Sequence, residues 1–424
     1  MQIAAKAALC CLAALFNSGA IASQQLTPPH DVLLRAGEGG YHTYRIPAAV
    51  AVREGAVVLF LEGRKDGQDD FAAIDLLCLR SLDGGHTWSR PQVIYAEGPL
   101  SERISIGNPC PVYDAENGRL WCSFTKDNQQ VFVTSSDDAG ATWTKPTEIT
   151  RDVRPITWTR YWTGPGHGLQ LRQGPRKGRL IFPSFHQELE VRDGGHTTAF
   201  VERCHSVFSD DHGRTWKIGQ STQLSAEIAT PEPFFSGKWI PGDSFWHGCE
   251  SMAEELPDGR IYLTIRNQVG TGAKAEAYSS DGGETWTPVK LQQQLPDPGC
   301  QAGLVRWADP SRRGKDLFVY TSITVDNRAD KSATHGRSTQ LRDFLPLDGL
   351  TGRQRLAAYL SSDDCQTWTK IGVVFPRAAA YSDLVVLPDG DILCFFEGGE
   401  KSPYESIRMA RLGKNWLGEN HASK

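Results

Sequence analysis

The sequence predicts an all-β protein in which a small antiparallel sheet is repeated, and three observations support this prediction. One turn-forming frame, Ser-x-Asp-x-Gly-x-Thr-Trp, occurs five times along the chain. Runs typical of strands, such as "IDLLCLRS" and "QQVFVTSS", precede its copies. Helical patterns are sparse, whereas 42 glycines and 24 prolines interrupt the chain throughout.

The five copies of this frame have the composition of a tight hairpin turn. Asp and Ser side chains can bind turn amides, and Gly tolerates a positive φ. The last copy has Cys365 in place of the glycine. The aspartates could instead be metal ligands or catalytic acids, but five equivalent turns cannot all form one site, so we interpret them as structural. The copies span residues 81–88, 136–143, 209–216, 279–286 and 361–368.

The spacing of the copies indicates how many sheets the chain forms. The tryptophans that end successive copies lie 55 to 82 positions apart. One hairpin per unit of this length suits a four-stranded antiparallel blade, and the chain holds about six such units. The predicted fold is therefore a six-bladed β-propeller, which protects its sheet edges by closing on itself. No linker or change of composition divides residues 24–424, so we expect one domain.

Residues 1–23 have the layout of a secretory signal peptide. Lys6 precedes an apolar run from Ala7 to Phe16, and small residues follow up to a cleavage point after Ala22 or Ser23. An N-terminal anchor is the alternative, although the apolar run is short for a bilayer. We expect a secreted, periplasmic or cell-surface protein with no integral membrane segment in the mature chain.

Composition excludes several classes of partner. The net charge of −5 and the lack of a Lys/Arg-rich run argue against nucleic acid. Two of the ten cysteines lie in the predicted signal peptide, and the others show no metal-ligand spacing. Cys78 and Cys394 lie in apolar runs typical of a core. Export would permit one or two disulfides, which the sequence does not pair. We expect no metal and no cofactor.

One cation lies in an unexpected place. The stretch "YRIPAAVAV" has the pattern of a buried strand, yet its second residue is Arg45. An unpaired buried charge costs several kcal/mol. We therefore expect Arg45 either to have an acidic partner or to face a cavity.

The "YRIP" stretch and the repeated frames together resemble the sialidase (neuraminidase) family, whose Asp-boxes have this frame. The resemblance extends over essentially the whole chain after the signal peptide. It implies a six-bladed propeller that removes terminal sialic acid from glycans, an exo-α-sialidase of the secreted bacterial type. The expected partners are sialylated glycans, such as mucin-type glycoproteins, gangliosides or sialyl-oligosaccharides.

The resemblance implies three arginines that bind the carboxylate of the substrate. Arg45 in "YRIPA" matches the first, and Arg266 in "ELPDGRIYLTIRNQ" matches the second. Arg353 in "TGRQRLAAYLSSDD" matches the third, with Arg355 as its rival. The two arginines of the loop-like "VDNRADKSATHGRST" fit less well.

The resemblance also implies a nucleophilic pair and an acid/base residue. Tyr381 in "AAAYSDL" matches the nucleophile, and Glu250 in "HGCESM" matches the glutamate that activates it. Asp70 in "RKDGQDDFAAIDL" matches the acid/base aspartate, although Asp66 and Asp69 share its loop.

Three further residues match positions that contact the sugar or orient an arginine. Arg64 in "FLEGRKDG" matches an additional arginine that contacts the sugar, and Glu397 in "LCFFEGG" matches the glutamate that orients Arg45. Asn108 in "SIGNPC" stands where bacterial relatives often have an aspartate that contacts the sugar hydroxyls. The sequence departs from the family pattern there, which leaves the preferred modification of the sugar open.

The chemistry of the reaction explains these residue types. Sialic acid carries its carboxylate on the anomeric carbon, and arginine forks bind carboxylates bidentately. A carboxylate nucleophile would be repelled there, whereas the Tyr381 phenol approaches neutral and can give its proton to Glu250. Asp70 would protonate the leaving oxygen and later activate water, so the anomeric configuration is retained.

Two other functions stay open at this point. A trans-sialidase, including an intramolecular one, would use the same scaffold and the same residues. A non-catalytic propeller with Asp-boxes would bind glycans or proteins instead. Such a binding protein would have no reason to keep Tyr381, Glu250 and Asp70 together with three arginines.

Overall fold

The computed structural model describes residues 27–192, 197–225, 244–245, 248–267, 272–308, 316–326 and 353–419. The predicted signal peptide (1–23) and the two arginines of "VDNRADKSATHGRST" lie outside these residues. The described chain is built almost entirely of strands, so the all-β prediction is confirmed. Its α-helices are the short α1 (Thr150–Val153) and α2 (Lys414–Glu419). None of the described helices is long and apolar enough to cross a membrane.

The strands are numbered in chain order. The first nine are β1 (His30–Arg35), β2 (Thr43–Ala51), β3 (Val57–Arg64), β4 (Ile74–Ser81), β5 (Gln92–Tyr95), β6 (Ile106–Asp114), β7 (Arg119–Lys126), β8 (Gln130–Ser136) and β9 (Thr147–Glu148). The next six are β10 (Trp158–Thr163), β11 (Leu169–Gln170), β12 (Leu180–Arg192), β13 (Thr197–Ser209), β14 (Lys217–Ile218) and β15 (Ser244–Phe245). The last ten are β16 (Ser251–Glu255), β17 (Ile261–Ile265), β18 (Ala273–Ser279), β19 (Lys290–Pro296), β20 (Gly303–Ala308), β21 (Asp316–Asp326), β22 (Arg353–Ser361), β23 (Thr369–Val386), β24 (Ile392–Gly399) and β25 (Ser406–Leu412).

These strands form five sheets that follow one another along the chain. Three sheets have four strands, in the orders β2-β3-β4-β5, β6-β7-β8-β9 and β16-β17-β18-β19. A six-stranded sheet contains the row β10-β12-β13-β14, with β11 paired to β12 and β15 paired to β13. The seven-stranded sheet has the order β1-β25-β24-β23-β22-β21-β20, so the first strand pairs with the last.

The sheets are arranged like the blades of a propeller, as predicted. β2 packs against β6, β6 against β12, β12 against β16, and β16 against β20. β20 packs against β23, and β23 packs against β2, which closes the circuit. The number of blades, six, stays a prediction. β23 pairs with β22 through its first part and with β24 through its second, so dividing the seven-stranded sheet within β23 would give two four-stranded units.

The core lies between neighbouring sheets, because each sheet packs on both of its faces. Between the first two sheets, Phe60 and Cys78 pack with Leu120 and Phe124. Burial on both faces explains why these strands read as nearly continuous apolar runs. All eight described cysteines are buried and free, which confirms the core positions predicted for Cys78 and Cys394.

The five repeated frames form the same hydrogen-bonded turn, so their structural interpretation is confirmed. In the second copy, Ser136 Oγ accepts the amide of Gly140 at 2.8 Å. Asp138 accepts the Thr142 amide through Oδ1 at 2.8 Å and the Thr142 hydroxyl through Oδ2 at 2.6 Å. In the first two frames the tryptophan also donates its indole hydrogen to the glycine carbonyl, as Trp143 does to Gly140 at 3.2 Å, whereas the indole nitrogens of Trp216, Trp286 and Trp368 have no hydrogen-bond partner among the described residues.

We expect substitution of Gly213, the glycine of the third frame, to be destabilising for two reasons: its positive φ and the lack of room for a Cβ atom. Gly213 has φ 84°, and an added Cβ would lie 2.3 Å from the Trp121 ring. Gly174 has a similar φ of 72° with no atom within 4 Å of that position, so it is a matched control. Urea denaturation should show that Gly213→Ala lowers the free energy of unfolding by about 3 kcal/mol and Gly174→Ala by about 1 kcal/mol. Equal losses would contradict the steric argument.

We also expect the frame aspartates to make stability depend on acid pH. Desolvation raises the pKa of Asp138, but hydrogen bonds from Thr142 and Ser136 outweigh it and lower this pKa to about 2. The stabilising contribution of the Asp138 carboxylate is therefore complete above its unfolded-state pKa of about 3.9, and it is lost as pH falls towards about 2. Denaturation at several pH values should show that Asp138→Asn destabilises most above about pH 5 and progressively less in acid. A difference between the two proteins that does not change with pH would contradict this assignment.

Candidate active site

Eight of the nine predicted site residues lie together in one group, here called the arginine cluster. They come from widely separated parts of the chain: two from β2 and β3, one from the β3–β4 loop, two from the ends of β16 and β17, and three from β22, β23 and β24. The members of the arginine cluster are Arg45, Arg64, Asp70, Glu250, Arg266, Arg353, Tyr381 and Glu397.

Arg45 has the acidic partner that its burial requires. Its Nε donates to Glu397 Oε1 at 3.0 Å, and its Nη2 donates to Glu397 Oε2 at 3.4 Å. The Glu397 carboxylate also accepts the backbone amides of Ile46 at 3.0 Å and Tyr381 at 3.3 Å. The register of β2 and β3 shifts just after Arg45, so Pro47 lies where the strand pairing is interrupted and no ladder donor is needed.

Asp70 lies between two guanidiniums at the open side of the arginine cluster. Its Oδ1 is 3.2 Å from Arg45 Nη1 and 2.8 Å from Arg64 Nη1, and 67% of its side chain is exposed. Partial desolvation raises the pKa of Asp70, but Arg45 and Arg64 outweigh it, so the pKa lies below its ordinary value. The rival acids of this loop contact Arg103 instead, with Asp66 at 3.2 Å and Asp69 at 3.6 Å.

Glu62 is a buried residue of the site that the sequence reasoning missed. Its Oε2 accepts Arg64 Nη2 at 2.7 Å, and its Oε1 accepts the amide of Asn108 at 2.8 Å. The Asn108 side-chain amide donates to Asn128 Oδ1 at 3.2 Å, so among the described residues Asn108 is linked to the arginine cluster through its backbone amide and Glu62. That Asn108 contacts a sugar stays a prediction. A signal for Glu62 was available, since it is an acid inside an apolar strand, two residues before Arg64.

The hydroxyl of Tyr381 lies between the carboxylate of Glu250 and the guanidinium of Arg266. It donates a hydrogen bond to Glu250 Oε1, and Arg266 Nη1 lies 2.8 Å from the same hydroxyl. Arg266 Nη1 also donates to Glu250 Oε2 at 2.6 Å. Burial and the charge of Glu250 raise the pKa of Tyr381, and Arg266, Arg353 and Arg45 offset this in part. The phenol is therefore neutral, with an acceptor for its proton in place.

Three guanidiniums surround the Tyr381 ring. Besides Arg266, the Cζ atoms of Arg45 and Arg353 lie 5.1 Å and 5.4 Å from the ring centre. Arg353 is buried and donates from Nη2 to the Gly299 carbonyl at 2.9 Å. Arg355 is only partly buried, and its charge acts on Lys370, so the structure places Arg353 rather than Arg355 in the arginine cluster.

The arginine cluster has the charge of a site for an anion. No group of three or more His, Cys, Asp or Glu side chains that could hold a metal ion occurs among the residues that the structure describes. Tyr404, another residue that the sequence reasoning missed, covers Arg45 with its ring centre 4.5 Å from Cζ. Positive charge that is buried, oriented and partly covered by aromatic rings suits a carboxylate ligand.

Comparison with known proteins assigns the family. A family model described as a BNR repeat-like domain matches residues 54–394, which is most of the chain. The sialidase of Micromonospora viridifaciens is 30% identical over 396 residues, which cover 89% of this chain and 53% of that protein. The chain belongs to the sialidase family. It spans about half the length of this curated relative.

Solved structures of sialidases share the fold of this family member. The Hadza microbial sialidase Hz136 matches with a TM-score of 0.68 and 22% identity, over 90% of this chain and 68% of that one. The intramolecular trans-sialidase from Ruminococcus gnavus, in complex with oseltamivir carboxylate, matches with a TM-score of 0.65 and 16% identity. That match covers 91% of this chain and 97% of the Ruminococcus chain.

We expect the Arg45–Glu397 pair to contribute strongly to the stability of this sialidase-family protein. Glu397→Gln would leave the buried Arg45 charge without its main partner, which costs about 3 kcal/mol. The matched control is Asp137→Asn, which breaks the exposed Arg119–Asp137 pair (2.7 Å) and should cost less than about 1 kcal/mol. Urea denaturation of both variants tests this, and a similar small loss in both would argue against a buried ion pair.

Proposed function

We propose that this protein is an exo-α-sialidase that hydrolyses terminal N-acetylneuraminic acid from glycoproteins, glycolipids or oligosaccharides. The observation that carries the proposal is the Tyr381 hydroxyl, hydrogen-bonded to Glu250 and to Arg266. A phenol with a carboxylate to take its proton, held among three guanidiniums, suits attack on a carbon that bears a carboxylate. Sialidases with a tyrosine nucleophile are an exception among glycosidases for this reason.

In the proposed mechanism the arginines bind and orient the sugar. The substrate carboxylate lies among Arg45, Arg266 and Arg353, which stay charged at any working pH. Because Glu397 already holds Arg45 through Nε and Nη2, the guanidinium is preoriented, with its Nη1 directed towards Asp70. Little side-chain freedom is lost on binding, which favours affinity and alignment of the anomeric carbon.

The bond changes follow from the Tyr381–Glu250 contact. Tyr381 Oη forms a bond to the anomeric carbon as Glu250 takes the phenol proton, and the glycosidic C–O bond breaks. Asp70 gives its proton to the leaving oxygen. Water, deprotonated by Asp70, then attacks the anomeric carbon and releases Tyr381 Oη, which recovers its proton from Glu250. Two inversions give net retention of configuration.

Asp70 must carry a proton in the first step, although two arginines favour its anionic form in the free protein. The substrate carboxylate resolves this conflict, because it competes with Asp70 for Arg45 and adds a negative charge nearby. Both effects raise the pKa of Asp70 when substrate binds. Substrate binding therefore favours the protonated form of Asp70 that the first step requires.

The partners and location follow as proposals from the same function. Sialylated glycans are the substrates, and mucin-type glycoproteins, gangliosides and sialyl-oligosaccharides all present the required terminal sugar. The signal-peptide layout of residues 1–23 supports export to the periplasm, the cell surface or the medium, where such glycans occur.

We predict that the protein releases the fluorophore from an α-sialoside and that Tyr381→Phe lowers turnover by about three or more orders of magnitude, because the nucleophile is lost. Tyr359→Phe is the matched control, since Tyr359 is a buried tyrosine of β22 outside the arginine cluster. Its turnover should stay near that of the unmodified protein. Activity of Tyr381→Phe near the control value would remove Tyr381 from its role, and an inactive, folded unmodified protein would contradict the enzyme assignment.

The released sugar distinguishes hydrolysis from transfer. NMR of the first product should show N-acetylneuraminic acid as its α-anomer, because hydrolysis with retention gives this form before mutarotation. An anhydro sugar would identify an intramolecular trans-sialidase, and a new sialoside formed with an added acceptor would identify a trans-sialidase. Initial appearance of the β-anomer would contradict the covalent tyrosyl step.

A further inference from the structure

Glu202, on β13, is a buried carboxyl that the proposed reaction does not use. The residue is 1% exposed, and neither carboxyl oxygen has a partner at full hydrogen-bond geometry among the described residues, although the Cys249 thiol, a weak donor, lies near it. Desolvation strongly disfavours a charged carboxylate in such surroundings. Burial raises the pKa of Glu202 well above its ordinary value, and Arg266 offsets this only in part. Burial therefore favours the neutral, protonated form of this side chain.

Strand geometry directs Glu202 towards the site. Cys204 lies two positions after Glu202 on β13, so the two side chains share a face of the sheet. The Cys204 thiol donates to the Cys249 carbonyl at 2.8 Å, and Cys249 is the residue before Glu250. The face of β13 that carries Glu202 is thus the face that packs against the Glu250 segment.

The charged and titratable groups around Glu202 come from three places. Arg160 lies on β10, in register with Gln187 of β12, which pairs with Glu202 itself. Cys249 and Glu250 precede β16, and Arg266 follows β17. Arg266, the Cys249 thiol and Arg160 favour the anionic form of Glu202, whereas Glu250 opposes it.

Two glutamates near Arg266 therefore have opposite environments. Glu250 accepts hydrogen bonds from Arg266 and from Tyr381. Glu202 interacts with Arg266 only at longer range. Arg266 Nε is itself buried without a hydrogen-bond partner in the part of the chain that the structure describes. One edge of this guanidinium is engaged, and its charge remains available to a second anion.

We propose that Glu202 is a positioning residue that must stay protonated for Arg266 to hold the carboxylate of the substrate. An ionised Glu202 would place a second protein carboxylate near Arg266, where it would compete with the substrate anion for the same positive charge. Glu202 thus sets an upper pH limit on anion binding, and it acts through Arg266 without contacting the sugar. This inference rests on the proposed function, because it requires a site that binds an anionic sugar.

The test is the pH dependence of the Kd for the didehydro analogue of N-acetylneuraminic acid, measured by titration calorimetry. Its carboxylate stays ionised from about pH 5 to about pH 9. Over this range the unmodified protein should lose about tenfold or more in affinity, because Glu202 ionises. Glutamine is a neutral side chain of the same size as glutamate. The Kd of Glu202→Gln should therefore lie within about twofold of that of the unmodified protein at about pH 5, and its affinity should fall by less than about threefold between about pH 5 and about pH 9.

Glu276→Gln is the matched control. Glu276 is also a buried glutamate with a raised pKa, caused by burial, but its Oε2 accepts hydrogen bonds from Tyr262 and Gln292 at 3.1 Å, away from the arginine cluster. Its variant should keep the pH profile of the unmodified protein. Parallel profiles for Glu202→Gln and the unmodified protein would overturn the inference while leaving the proposed function intact. Failure of the unmodified protein to bind the analogue at any pH would instead contradict the proposed function.

A second measurement needs no variant, in case Glu202→Gln does not fold. At about pH 9, binding of the analogue to the unmodified protein should take up protons, because the bound anion favours protonated Glu202. Calorimetry in two buffers with different ionisation enthalpies gives the number of protons taken up on binding. Binding without proton uptake would overturn the inference.

Discussion

The buried ion pair between Arg45 and Glu397 is the interaction on which the rest of the site depends. It joins β2 of the first sheet to β24 of the seven-stranded sheet, and the same carboxylate accepts the backbone amides of Ile46 and Tyr381. One acid therefore orients an arginine fork, the irregular backbone after it and the main chain of Tyr381, the proposed nucleophile. A buried ion pair is stable only when all of its hydrogen bonds are made. The need to make them fixes the positions of Arg45 and of the backbone around it.

The acids of the site differ in role because they differ in partners. Glu397 and Glu62 are buried and fully engaged with arginines and backbone amides, so they act as supports. Glu250 shares its charge with Arg266 and a phenol, whereas Asp70 lies exposed between two guanidiniums. In the proposed reaction the same functional group thus serves as a support, a base and an acid within one site, and the surroundings of each carboxyl distinguish these roles.

The structural features that could be predicted from the sequence are those that are local or follow a strong pattern. The turn frames carry their own hydrogen-bond partners within a few residues, so their structure could be predicted from the letters alone. A buried cation demanded a partner, but the identity of Glu397, 352 positions away, came only from the family resemblance. Glu62 was missed because its contact with Asn108 joins two sheets. Glu202 lies in no recognisable motif, and its distinguishing property, burial of a carboxyl without strong hydrogen bonds from the described residues, becomes visible only in the packed structure.

The pairing of β1 with β25 has a consequence for how the chain acquires its structure during synthesis. The edge of the seven-stranded sheet is completed by residues from opposite ends of the described chain, His30–Arg35 and Ser406–Leu412. A nascent chain must therefore hold its earliest strand unpaired until the last one has emerged. Until then an open strand edge is exposed, a hazard for aggregation, and the Arg45–Glu397 contact cannot form. Closure of the ring and assembly of the anion site are thus one late event, and a chain interrupted before β24 would lack both.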